Sequence, residues 1–455
     1  MRTHFMSLCF LLVTLTGFSQ TNTIRFHLED PPGKEVLVVY YYGDKQYILG
    51  KEGSSPTAPR DENGNQLVLI DENGKGSFTH EGMKPGMYLM VFPPANNFIE
   101  FVFEGSDLDV YTKGNYILDH PGNSVSNRIK AQNDAFQKRR YQLQQEKPAD
   151  LEQKMEALTN EYYSFLEEKR TAYPSNIYLG LLKAAENADV PEIEDKNKRF
   201  YAYRKNYFDK IDMTADWLVR TPIFNQKINE YFEKLTSKVP DSIIVAVDRI
   251  ASMIEPNEEL YKYFIIDRLN TYAKSKIMGH DKIYHHMAMN YYAKGKAPWT
   301  EQEQLNKILD NAKAMEGTLI GDSAFNFTAE STTGQKLSLH GIESKYTLLF
   351  LMDPFCGHCK DASNKIIELK DQLPSELRVL GVVFNASMEE MKRIKGERNY
   401  FWHCVVPSLD LQNDLRKAYN IKTYPMIYLL DSKKEIVAKQ ISVEQVLGII
   451  DQLEQ

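Results

Sequence analysis

Over residues 20–118 apolar and polar positions alternate in short runs such as KEVLVVYYY, YILGKE, NQLVLID, GMYLMVF and FIEFVFE. A period of two places every second side chain on one face, the pattern of strands that turn one side to a core. Between the runs stand Pro31-Pro32-Gly33, Asn63-Gly64, Asn73-Gly74, Pro85-Gly86 and Pro93-Pro94. These residue types reverse the chain tightly. The spacing predicts a small antiparallel β-sandwich or barrel. No charged or histidine cluster in it has ligand spacing, so it reads as a packing or docking module.

From residue 119 to 316 the period changes. SNRIKAQNDAFQKRRYQLQQEK and DLEQKMEALTNEYYSFLEEKRTAY read as long helices, and in the second Leu151, Met155, Leu158, Tyr162 and Leu166 recur three and four apart on one face. Further helices are punctuated by Tyr173-Pro174, Val190-Pro191, Thr221-Pro222, Val239-Pro240 and Glu255-Pro256. A bundle or irregular helical array is expected, with no fixed repeat period. His285-His286 suggests a metal, but adjacent helical residues point about 100° apart, so these read as surface or core histidines.

Residues 317–455 alternate strand and helix. A hairpin-like stretch (SAFNFTAESTTGQKLSLHG) precedes the apolar YTLLFLM, then CKDASNKIIELKDQL, LRVLGVVF, MEEMKRIKGE, DLRKAYN, MIYLLD, KEIVAKQ and a terminal helix. This order predicts a parallel or mixed sheet flanked by helices. The expected organisation is thus multidomain: an all-β module (20–118), an all-α middle domain (119–316) and a C-terminal α/β domain (317–455).

Residues 1–19 begin with Arg2, continue through an apolar run over 5–15 and end with small residues at Gly17 and Ser19, as a secretory signal peptide does. The run is shorter than the roughly 20 residues of a spanning helix, and Leu8 before Cys9 is not the small residue of a lipid-attachment site. Cleavage after Ser19 or Gln20 leaves a mature chain with no apolar stretch long enough to span a membrane, and the expected location is the periplasm or cell envelope.

The full chain has 455 residues, 42% hydrophobic and 26% charged, with a formal net charge of −7. That is the composition of folded domains. It lacks the basic excess that a phosphate backbone requires, which argues against nucleic acid. Of its cysteines only Cys356, Cys359 and Cys404 follow the signal peptide, too few for a disulfide scaffold in an exported protein.

Cys356-Gly357-His358-Cys359 follows a strand and opens a helix. There a thiol meets unpaired N–H groups and the positive end of the helix dipole, which favour thiolate. Cys356 is the candidate nucleophile and Cys359, one turn on, the candidate resolving thiol. With Gly321-Asp322-Ser323-Ala324-Phe325, Gly334-Gln335-Lys336-Leu337 and Thr423-Tyr424-Pro425, residues 317–455 resemble the thioredoxin superfamily, specifically its exported TlpA-like thiol-disulfide oxidoreductases with an AhpC/TSA-type domain. The resemblance implies a thioredoxin-like fold, with Pro425 as a cis-proline facing the dithiol and Tyr424 pairing with substrate backbone. His358 is expected to stabilise the Cys356 thiolate by charge and hydrogen bonding, as in the similar CGHC of disulfide isomerases. Two positions depart from the pattern: Phe350 stands where thioredoxins bury an aspartate, and Phe355 where a tryptophan precedes the dithiol. The first departure leaves Asp353, Lys360 or water to move the Cys359 proton.

A zinc site would need two more ligands, and His403-Cys404 is poorly disposed to close a tetrahedron. Cys404 lies in an apolar segment and reads as a buried thiol, with a second resolving thiol as the alternative. The resulting expectation is an exported enzyme that reduces, oxidises or isomerises disulfides of envelope proteins. It needs no bound cofactor, and a reducing role requires a membrane electron donor. Peroxidase activity lacks its Pro-x-x-x-Thr approach. The competing reading is a non-enzymatic binding or scaffold protein that carries the domain.

Overall fold

The structure, a computed structural model, describes residues 20–50 and 57–454. The expected signal peptide, with Cys9, lies outside the described residues. The chain forms two compact units, one running to Leu235 and including Met253–Leu260, the other made of Thr236–Ser252 and the chain from Tyr261 onward. The helical stretch is therefore shared between the units.

In the first unit Thr21–Glu29 pairs antiparallel with Lys75–Glu81 and parallel with Leu108–Lys113. A second sheet is built on Glu35–Tyr42 and Gly86–Phe92, with Lys45–Ile48 and Asn97–Phe103 outside them. Alternation does what the pattern predicts: Ile24, Phe26 and Leu28 point inward and share one core with Val38, Phe78, Tyr88 and Phe101. The second sheet is apolar on its other face too. There Met87 and Val102 pack against Ile129, Leu166 and Leu179 of helices Val125–Glu146, Leu151–Ala172 and Ile177–Ala185. Asn127 fixes the first of these helices to the sheet: Val102 N–H donates to its Oδ1 (2.8 Å) and its Nδ2 donates back to the Val102 carbonyl (3.0 Å). Leu158 and Leu166 of the predicted stripe are buried.

Helix Pro222–Glu230 belongs to the first unit and most of helix Pro240–Ile254 to the second; both open with proline at a first-turn position, where a missing N–H costs nothing. The second unit's sheet has seven strands. In spatial order they are Lys336–Ser338, Thr328–Ser331, His403–Val406, Leu377–Val383, Tyr346–Met352, Met426–Leu430 and Ile436–Lys439. The three central strands beginning at His403, Leu377 and Tyr346 run parallel, whereas Met426–Leu430 is antiparallel to its neighbours. Tyr346–Met352 is buried along its whole length, as a central strand covered on both faces must be. One face holds Phe350, Cys359, Ile366, Trp402, Cys404 and Val446. The other holds Leu349, Leu351, Leu415, Tyr419 and Tyr428. Among the described residues no helix is long and apolar enough to cross a membrane.

Candidate active site

Tyr346–Met352 delivers the chain to the carboxyl edge of the sheet, where Asp353, Pro354 and Phe355 form a turn before helix Gly357–Glu368. The turn is held from two sides. The Asp353 carboxylate accepts the Phe355 N–H (2.8 Å) and the Asn385 side-chain amide (2.7 Å), while Arg398 donates to the Pro354 carbonyl (3.1 Å) and to Tyr400 Oη (3.2 Å). Arg416 donates to Asn385 Oδ1 (3.0 Å) and lies over the Phe384 ring. Asn385, Arg398 and Arg416 were not singled out from the sequence. They come from separate loops and helices that only the closed sheet brings beside the dithiol.

Cys356 is the N-cap of the helix, extended in backbone (φ −77°, ψ 130°) and half-buried. Its sulfur lies 3.7 Å from the Tyr424 carbonyl oxygen, to which the thiol donates, and the Tyr424–Pro425 peptide is cis. Cys359 is fully buried one turn further on, and neither is in a disulfide. Burial pushes the Cys359 thiol up to about 12, with the Cys356 sulfur and the Asp353 charge adding to the rise and a backbone interaction at Asp353 opposing it. Cys359 is thus held protonated at neutral pH.

His358 is exposed on the first turn, and among the described residues no hydrogen bond joins it to Cys356. Phe355 is exposed beside the dithiol and Phe350 is buried in the core under Cys359. Lys360 is exposed and Asp353 is the carboxylate that acts on Cys359. Burial pushes the Tyr424 phenol up, with the nearby Arg416 charge opposing; the phenol stacks at a tilt against Phe384, ring centroids 5.2 Å apart.

Cys404 is buried in strand His403–Val406, its thiol pushed up to about 12 by burial. His403 is exposed on the opposite face, since neighbours on a strand diverge. His285 and His286 likewise diverge, toward Glu316 (3.4 Å) and Asp248 (2.8 Å).

This sheet order, with a helix-capping cysteine pair against a cis-proline strand, is that of a thioredoxin-like domain, and residues 320–439 match the AhpC/TSA family. The C-terminal part of the chain is an AhpC/TSA thioredoxin-like domain, preceded over residues 143–315 by a match to a domain of unknown function, DUF5106. The chain is 25% identical over 122 residues to the thioredoxin-like protein YneN of Bacillus subtilis (strain 168), covering 27% of this chain and 71% of that one. A domain of a possible thiol-disulfide isomerase from Cytophaga hutchinsonii is 27% identical, with 30% of this chain and 95% of that one covered and a TM-score of 0.27. A thioredoxin-like protein from Bacteroides caccae is 18% identical, with 59% and 99% covered and a TM-score of 0.42.

Proposed function

We propose that the protein is an exported thiol-disulfide oxidoreductase whose Cys356–Cys359 pair exchanges with disulfides and dithiols of envelope proteins. The observation that carries this reading is the placement of Cys356 at a helix N-terminus with its sulfur 3.7 Å from the Tyr424 carbonyl. In the reducing direction the Cys356 thiolate attacks one sulfur of a substrate disulfide. The S–S bond breaks, the second substrate sulfur departs as thiolate and takes a proton, and a mixed disulfide remains. Cys359 then loses its proton and attacks the Cys356 sulfur, which closes Cys356–Cys359 and releases the first substrate thiol. Two electrons and two protons pass from the dithiol to the substrate, and the oxidising direction is the reverse.

In this reading Tyr424 and Pro425 align the substrate backbone, His358 favours the Cys356 thiolate, residues 1–19 direct export, and a membrane donor recycles the dithiol in a reducing role. The chain divides into a β-rich part (20–118) that serves as a packing or docking module, a helical part (119–316) and the catalytic domain (317–455). The test is insulin reduction with dithiothreitol by the wild-type chain and by Cys356→Ser. The variant is expected to fall to the rate of dithiothreitol alone, because the covalent step is lost. Wild-type protein no faster than dithiothreitol alone would replace the enzyme with a scaffold.

A further inference from the structure

A cavity of about 690 Å³ lies within the second unit, between residues 272–284 of the helical stretch and the cis-proline end of the sheet. Thr423 and Pro425 stand on its wall, and Tyr424 between them contacts Cys356. The dithiol is thus one peptide unit from the rim. An extended chain advances about 3.3 Å per residue, which is enough for a side chain two or three residues from a cysteine at Cys356 to reach the cavity.

The facing wall is set in place before any substrate arrives. Ser275 Oγ bonds His280 Nδ1 (2.8 Å) and accepts the Ile277 N–H (3.2 Å). Gly279 turns the chain at φ +84°, where an added Cβ would sit 3.0 Å from Pro240 and 3.2 Å from Ile320, so the loop is packed tightly at its base. Lys439 is buried, donates to the Thr318 carbonyl (2.6 Å) and pairs with Asp281.

Charge identifies the occupant. The lining carries Lys276, Lys422, Lys439 and Asp281. Lys439 and Asp281 cancel, which leaves Lys276 and Lys422 exposed and, among the described residues, without an ion-pair partner. We infer that this cavity is a subsite for an acidic segment of the substrate protein, in which Lys276 and Lys422 receive carboxylates two or three residues from the reacting cysteine. This rests on the oxidoreductase reading and adds to it a wall supplied from outside the thioredoxin-like domain. Opposite charges across such a contact raise encounter rates and discriminate against like-charged partners.

The experiment uses the reduced full chain and two synthetic peptides, identical except for Glu or Lys at the positions two and three residues from a single cysteine that carries a 2-pyridyl disulfide. Release of pyridine-2-thione gives the rate, with neutral 2,2′-dipyridyl disulfide as reference. The Glu peptide is expected to react about tenfold faster than the Lys peptide, and the ratio to fall toward one in about 0.5 M salt. Lys276→Glu with Lys422→Glu is expected to reverse the preference, and the gentler Lys276→Gln with Lys422→Gln to abolish it. The ratio is read within each protein, so a partly damaged variant still reports. An unchanged ratio in both double variants, with dipyridyl disulfide still reacting, overturns the subsite alone. No reaction with dipyridyl disulfide in the wild type overturns the oxidoreductase reading beneath it.

Discussion

The sulfur of Cys356 and the carbonyl oxygen of Tyr424, 68 positions apart in the chain, meet at 3.7 Å. The carbonyl accepts from the thiol while the helix N-terminus favours the thiolate, so the two act in opposite senses on one proton. In the proposed exchange, a substrate N–H that occupied that carbonyl would leave only the helix to act.

The three thiols are expected to separate by alkylation. Iodoacetamide at pH 7.5 should label Cys356 at least about 100-fold faster than Cys359 or Cys404, because both buried thiols are held protonated and thiolate is the reacting form. Peptide mapping of the labelled protein checks this. Equal labelling of Cys359 would contradict the burial.

Asp353 has two separable roles. Asp353→Ala should cost about 1–2 kcal/mol in urea unfolding by orphaning the Phe355 N–H and the Asn385 amide. Asp353→Asn keeps an oxygen for the Phe355 N–H but removes the charge that helps raise Cys359. In a Cys356→Ser background it should therefore lower the Cys359 pKa, read from the pH dependence of alkylation. An unmoved titration would remove Asp353 from the proton path.

Stability should fall in alkali through the buried thiols. Cys404 holds its proton to about 12 when folded, against about 8.5 for an unfolded thiol. Between those values the unfolded state has released a proton that the folded state keeps, so stability drops as pH rises, by about 1.4 kcal/mol per pH unit for each such thiol. Below pH 8 the term is flat. Cys404→Ala should flatten the slope above pH 9 in denaturant titrations, whatever its effect on absolute stability.

Lys439 should be costly to remove. Lys439→Ala strands the Asp281 carboxylate and the Thr318 carbonyl, and loss of one member of a buried pair costs about 3 kcal/mol or more. Lys439→Met strands the same groups but keeps the buried stem packed, so it should cost less than Lys439→Ala by the stem's packing alone. Chemical denaturation of both variants measures the difference.

The redox potential is expected to lie above thioredoxin's, about −270 mV, if His358 on the first turn favours the reduced form as proposed, together with the helix N-terminus that Cys356 caps. Equilibration in glutathione buffers with thiol trapping reads it. A value at or below thioredoxin's would cancel the argument from His358.

The alternation of Ile24, Phe26 and Leu28, the stripe through Leu158 and Leu166, and the strand-helix order after residue 317 were legible because each is a local period. MEEMKRIKGE coincides with helix Met388–Glu397, whose start is marked by a Ser387–Glu390 capping box. The Cys356–Cys359 pair stood out by its position after a strand and before a helix, whereas Pro425 stood out only through the family resemblance; the structure places its cis peptide beside Cys356. The supports around them were not legible. Asn385, Arg398 and Arg416 are ordinary polar residues until the sheet closes, although Asn385 at φ +61° is the residue type that tolerates the left-handed region and so marked a special turn. The sharing of helices between two units was equally hidden, since an amphipathic face does not say which neighbour it will meet. Nor does periodicity signal the π-helical turns at Tyr231–Leu235 and Ala288–Tyr292.

The backbone changes unit after Leu235, after Ser252 and after Leu260, so no single cut in the sequence separates one unit from the other. A truncated protein starting at residue 317 would keep the dithiol but forfeit Asp281, leaving Lys439 a buried cation without its anion and the cavity without its far wall. Such a fragment is a different reagent from the parent chain: it would overstate promiscuity and understate stability. Gene dissection for assays or crystallisation should therefore cut elsewhere, retaining residues 236–252 and 261–316 with the catalytic part.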